Sequence, residues 1–133
     1  MTAAKPVLLD ADVLINLIGM RKLDVLSKFQ GHEFWITNHV QDEVHRRAQR
    51  LQIRKALKAG WLRELEVCDL TEIDFYTQYR LRFGKGESAC LAVARVRGWI
   101  VATDDRAVQR EVKSKFGEDR LLDTERLANK VLS

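Results

Sequence analysis

Val7-Leu8-Leu9-Asp10-Ala11-Asp12-Val13-Leu14-Ile15-Asn16-Leu17 sets the reading of the whole chain. Three large aliphatics between Pro6 and an acid read as a buried strand of the parallel type. Such a strand delivers the residue at its carboxyl end to the crevice where open α/β sheets bind ligands. An aspartate there is expensive to desolvate unless something pairs with it. Asp10 therefore asks what its partner is, and whether other acids reach the same crevice.

The rest of the chain alternates between helix-like and strand-like segments. Val13, Leu14, Leu17 and Ile18 recur at helical spacing up to Gly19, and Leu23, Val25, Leu26 and Phe29 suggest a second helix ended at Gln30-Gly31. Phe34-Trp35-Ile36 reads as a strand. Thr37-Asn38 supplies cap chemistry for a helix that carries Val40, Val44, Ala48 and Leu51 on one face and runs, broken once, to Gly60. Leu65–Cys68 reads as a strand, and Thr71 as the cap of a helix reaching Phe83. Gly84-Lys85-Gly86 breaks that helix and Glu87 opens another, which Gly98 ends. Trp99–Ala102 is a second apolar strand that runs straight into Asp104 and Asp105. A helix with Val108 and Val112 follows, then a weak strand at Leu121-Leu122 and a last helix from Thr124. The pattern predicts a three-layer α/β sandwich around a mostly parallel central sheet.

A length of 133 residues suits one domain over residues 1–133. The net charge of +4 leans toward polyanionic partners. Cys68 and Cys90 have no C-x-x-C spacing, so they read as buried apolar thiols rather than a disulfide or zinc site. The start, Met-Thr-Ala-Ala-Lys-Pro, has no signal-peptide core, and no apolar run approaches the ~20 residues of a membrane span. A cytoplasmic protein is the expectation.

In a parallel sheet every strand that precedes a helix ends on the same edge, so Asp10, Asp104 and Asp105 belong together. Glu43, in the helix after Phe34–Ile36, and Glu87, at a helix N-terminus, can reach that edge too. The helix dipole favours the Glu87 charge by ~0.3–1 kcal/mol. Each acid has a plainer reading: a surface glutamate for Glu43, a dipole partner for Glu87, helix caps for Asp104 and Asp105. Taken as a cluster, however, carboxylates ~5 Å apart repel by about 3 kcal/mol per pair at an effective dielectric of ~20. Such a set of hard oxygens calls for Mg²⁺ or Mn²⁺ rather than zinc. His32, His39 and His45 form no H-E-x-x-H motif, and His39 with Glu43 reads as a surface pair.

These residues resemble the PIN-domain family of metal-dependent ribonucleases. Leu8 to Ile15 resembles the family's opening strand, aspartate and helix, and Thr37 to Glu43 its second acidic motif. Gly84 to Ala94 resembles the third motif, and Val101-Ala102-Thr103-Asp104-Asp105-Arg106 the closing strand, threonine and aspartate. The resemblance implies that Asp10, Glu43, Glu87 and Asp105 bind the metal, with Asp104 competing with Asp105 for the last position. Thr103 would orient that last acid by a side-chain hydrogen bond, and Asn16 would support Asp10. Asp12, where the family favours a small polar residue, is either an extra ligand or a helix cap. The activity implied is hydrolysis of RNA phosphodiesters by an endoribonuclease that needs Mg²⁺ or Mn²⁺.

Arg46, Arg47, Arg50, Arg54, Lys55, Lys58 and Arg63 follow Glu43 with no acid among them. Arg46, Arg50 and Arg54 fall on one side of a helix, either as a solvated face or as a grip on RNA phosphates. Lys85, Arg80, Arg82 and Arg106 would flank the same cleft. Small members of the family resemble the VapC-like toxins of toxin–antitoxin pairs, which implies a homodimer and a separately encoded antitoxin. Two rival readings stand. Asp10-Ala11-Asp12-Val13 also resembles the opening of haloacid-dehalogenase-like phosphatases, with Asp10 as nucleophile. A PIN-like module that binds RNA or protein without catalysis is the other.

Overall fold

The computed structural model describes residues 3–130; residues 1–2 and 131–133, the ends of the expected domain, lie outside the described residues. The strands are β1 (Lys5–Leu9), β2 (His32–Thr37), β3 (Arg63–Leu65), β4 (Ile100–Ala102) and β5 (Leu121–Leu122). They form one sheet in the order β3-β2-β1-β4-β5, and every pairing is parallel. Leu8 stands between Trp35 of β2 and Val101 of β4. Val7, Leu8 and Leu9 are fully buried, as a strand covered on both faces requires.

The helices are α1 (Ala11–Gly19), α2 (Val25–Lys28), α3 (Asn38–Glu43), α4 (Arg47–Ala59), α5 (Leu70–Tyr79), α6 (Lys85–Arg97), α7 (Arg106–Lys115) and α8 (Thr124–Lys130). From β1 the chain steps through β2 to β3 in one direction, then crosses to β4 and β5 in the other. Right-handed crossovers put the helices of the two runs on opposite faces of the sheet. The reversal of direction falls between β1 and β4, and the carboxyl ends of those two strands form the crevice. The predicted sandwich is therefore present, with a sheet that is wholly parallel.

Several local expectations need correction. α1 does not stop at Gly19 through a glycine cap; Met20 caps it in a helical conformation and Arg21 takes the positive φ of 57°. The helix after β2 breaks at Val44-His45-Arg46. Beyond the break, Ile53 and Ala56 are buried while Ala48 and Leu51 face solvent. The third strand is Arg63–Leu65, displaced toward the N-terminus from Leu65–Cys68, and Cys68 is exposed. Asp69, not Thr71, caps α5 by accepting from the Glu72 amide at 3.1 Å, and α5 ends at Tyr79. α4 and α6 both end on left-handed glycines, Gly60 (φ 82°) and Gly98 (φ 74°), which turn the chain back into β3 and β4.

Candidate functional site

Each strand at the crevice ends in acid. Asp10 follows β1, stays in the ladder through its amide bond to the Ala102 carbonyl (3.0 Å), and is the N-cap of α1. Its Oδ1 accepts from the Ala11 amide at 2.8 Å, and its Oδ2 from the Thr103 hydroxyl at 3.0 Å. The residue is only 3% exposed. Burial pushes its carboxyl from 3.8 up to about 7; Asp12 and, less strongly, Glu87 push the same way, against the pull of Thr103 and Ala11.

Thr103 is fully buried directly after β4. Its hydroxyl donates to Asp10 and accepts the backbone N–H of Asp105 at 3.2 Å, so one oxygen ties two strand ends together. Its bond to Asp105 runs through that amide and not through the carboxylate, which caps α7 by accepting from the Val108 amide at 3.0 Å. Asp12, in the first turn of α1, also has its carboxyl raised, by burial first and then by Asp104 and Asp105. Its Oδ1 is buried with no hydrogen-bond partner.

Two acids come from the other side of the crevice. Glu43, the last residue of α3, accepts from the Gly86 amide at 2.6 Å. A Cβ on residue 86 would lie 2.8 Å from Glu43 Oε1, so glycine is what lets this carboxylate settle on the start of α6. Glu87 folds back to accept from the Gly84 amide at 3.0 Å. Its carboxyl is raised by burial and then by the nearby Asp105. Below them lies Cys90, fully buried with Sγ 3.8 Å from the Leu9 carbonyl. Burial holds its thiol well above the usual value, and the charges of Asp10, Glu43, Asp12 and Glu87 add to this in that order.

Asp104 lies beside Asp12, but its oxygens are already engaged. Its oxygens accept from Asn16 Nδ2 (2.6 Å), the Thr124 amide (2.9 Å) and the Thr124 hydroxyl (2.5 Å), pinning α1 to the start of α8. Asn16 therefore serves Asp104 and makes no bond to Asp10. The arginine row divides. Arg46 borders a groove with Asn16 and Thr124, whereas Arg50 and Arg54 border another with Gln41 and Glu64. Arg47, Lys55 and Lys58 are exposed on α4, and Arg63 lies over the Trp35 ring at 5.7 Å. Lys85 and Arg106, the exposed first residues of α6 and α7, stand beside Glu87 and Asp105. His39 stacks on Tyr76 with ring centroids 4.6 Å apart.

Among the described residues the ion pairs are Lys28–Asp24, Arg82–Glu111 and Arg97–Glu72, and none includes an acid of the crevice. Nor do three or more Asp, Glu, His or Cys side chains already meet as a ligand group among those residues. The donor set nevertheless fits a hard divalent ion: it is all carboxylate oxygen, it has no basic partner, and it includes the orphaned Asp12 Oδ1. Sequence reasoning missed the amides of Gly84 and Gly86 as rests for Glu87 and Glu43. The glycine-lysine-glycine spacing immediately before an acid was the available signal.

The sequence matches the DUF3368 family of PIN domains over residues 6–117, and the chain belongs to that family. No curated protein matches it. Its fold is similar to that of the PilT N-terminus domain protein SSO1118 from the archaeon Sulfolobus solfataricus P2, with a TM-score of 0.64 at 14% identity. That likeness covers 96% of this chain and 94% of the other. PAE2754 from Pyrobaculum aerophilum is similar at a TM-score of 0.61 and 18% identity, over 99% of this chain and 93% of the other.

Proposed function

We propose that this chain acts as a single PIN-like domain and is a divalent-metal-dependent endoribonuclease that hydrolyses RNA phosphodiesters. One observation carries the reading: Thr103 ties Asp10 to the start of α7 at Asp105, Glu43 and Glu87 rest on the Gly86 and Gly84 amides at the start of α6, and none of these acids has a basic partner among the described ion pairs. Asp10, Glu43, Glu87 and Asp105 would hold Mg²⁺ or Mn²⁺, with Asp12 Oδ1 as a further donor. When bound, such an ion supplies charge that activates water for in-line attack and screens the phosphate and the departing 3′ oxygen.

The chain's own part is to hold these oxygens still. Thr103 fixes Asp10, and the amides of Gly86, Gly84 and Val108 fix Glu43, Glu87 and Asp105. Lys85 and Arg106 would take the phosphates flanking the cut, with Arg46, Arg47, Arg50 and Arg54 gripping RNA farther out. The phosphatase reading gives no role to Glu43 and Glu87, both held at the crevice by backbone amides. The proposal extends to a cytoplasmic, homodimeric toxin silenced by a separately encoded antitoxin, on the strength of the sequence resemblance.

The test titrates Mg²⁺ and Mn²⁺ against the protein with RNA as substrate, beside Asp10→Asn. Cleavage should require the ion and fall by about 1,000-fold in the variant, which corresponds to roughly 4 kcal/mol of lost transition-state stabilisation. Cleavage in EDTA, or equal rates from both proteins, overturns the proposal.

A further inference from the structure

Glu111 is a buried acid that the chemistry proposed above does not use. It stands on α7, only 6% exposed, on the buried stripe with Val108 and Val112. Its Oε2 accepts from the Tyr79 hydroxyl at 3.1 Å, and its Oε1 from Arg82 Nη1 at 3.1 Å. Tyr79 is the last residue of α5, and Arg82 lies in the turn that leads into α6. Arg95 of α6 donates to the same Tyr79 oxygen at 3.2 Å. One carboxylate thus joins the middle of α7 to the end of α5, to α6 and to the turn between them.

That turn is also fastened from within. Arg80 Nη1 donates to the Phe83 carbonyl at 2.8 Å and the Ser88 hydroxyl to the same carbonyl at 3.3 Å, while Arg82 covers the Phe83 ring at 4.9 Å. Immediately after it come the Gly84 and Gly86 amides, on which Glu87 and Glu43 rest. The other end of the brace has a matching consequence. α7 is capped by Asp105, whose carboxylate accepts from the Val108 amide and whose charge acts on Glu87. Tying α7 to the turn before α6 therefore sets the spacing between the two helix starts that carry these acids.

We propose that Glu111 is a positioning residue of the crevice: through Arg82 and Tyr79 it locks the turn of residues 80–84 against α7, and so fixes Glu87 and Glu43 relative to Asp105. The inference deepens the nuclease reading and rests on it only for its effect on activity. The bland alternative is that Glu111 merely stabilises the fold. Glu72 is the internal control, because it is another buried acid paired with an arginine, but it joins α5 to Arg97 at the far end of α6, away from the turn of residues 80–84.

The experiment compares Glu111→Gln with Glu72→Gln in the full chain. Backbone hydrogen exchange is followed at Gly84, Gly86, Ala11 and Val108 by NMR in metal-free buffer, and Mn²⁺ affinity is measured by calorimetry. In Glu111→Gln the Gly84 and Gly86 amides should exchange about tenfold faster than in Glu72→Gln, with Ala11 unchanged. Mn²⁺ binding should weaken about fivefold, and RNA cleavage should lose kcat with KM held within about twofold. Equal exchange at Gly84 and Gly86 in the two variants overturns the brace, whatever happens to stability. Should Glu111→Gln fail to fold, Arg82→Gln removes the same link from its exposed end and is read identically. If the unaltered protein neither binds Mn²⁺ nor cuts RNA, the nuclease reading falls while the exchange comparison still decides the brace.

Discussion

The acids withdrawn wholly or partly from water are of two kinds. Glu72 meets Arg97 through bonds of 2.6 and 3.3 Å, and Glu111 meets Arg82 and Tyr79. Asp10, Asp12 and Glu87 have no arginine or lysine partner among the described ion pairs; they rest on backbone amides or a threonine, and desolvation raises the carboxyl of each. A paired acid is compensated as the chain folds. An unpaired one makes folding less favourable at neutral pH, a cost that an arriving cation would offset. The contrast separates acids that hold the fold together from acids held by the fold.

The sharpest way to break this contrast is to neutralise one acid of each kind. Asp10 has a folded pKa of about 7 against 3.8 unfolded, so the fold favours its neutral form. Its contribution is intact below pH ~4 and is lost as pH rises to about 7, a change of about 4 kcal/mol. In EDTA, Asp10→Asn should match the unaltered protein at pH 4 and exceed it by that amount at pH 8. Urea unfolding across this range measures it, and a gap that stays flat or opens in the other direction would contradict the assignment.

Glu72→Gln should do the reverse, lowering stability at pH 8 by about 2 kcal/mol, since Arg97 loses its charged partner but keeps some access to water. A neutral or stabilising result in the same urea assay would erase the distinction between the two classes. The smallest effect on stability is expected from Gly86→Ala. Alanine inside a helix gains about 0.5–1 kcal/mol over glycine, but its methyl would displace the Glu43 carboxylate from the amide it rests on. Thermal stability should therefore hold or rise slightly while Mn²⁺ affinity falls by about fivefold. Unchanged Mn²⁺ affinity would remove Glu43 from the site.

How much of this was legible depends on how local the cause is. β1 and β4 declared themselves because apolar runs led into acids, and α6 because a glycine-rich turn precedes it and Gly98 ends it, although the helix opens at Lys85 and not at Glu87. Leu65–Cys68 misled because a short edge strand takes its register from its neighbour, here Trp35 opposite Arg63, and not from its own residues. Ala48 and Leu51 seemed to continue the face of Val40 and Val44; the break at Val44-His45-Arg46 rotates α4, so Ile53 and Ala56 point inward instead. Among the acids, strand order alone brings Asp10 and Asp105 to one edge. That Asp104 is engaged by Asn16 and Thr124 depends on where α8 docks, which no local pattern records. Glu111 left only a faint trace, an acid on the same helical stripe as Val108 and Val112.

The two ends of the sheet also differ in what they ask of heredity. Where α4 and α6 return to their strands, the turn at Gly60 or Gly98 requires little beyond a residue without a side chain. Surrounding positions there are free to drift, to lengthen or to take on new contacts. At the opposite rim, oxygens from four distant segments must stay in mutual register, so a change in any one is felt by the rest. Substitutions on the glycine-turn side should therefore leave the carboxylate rim undisturbed.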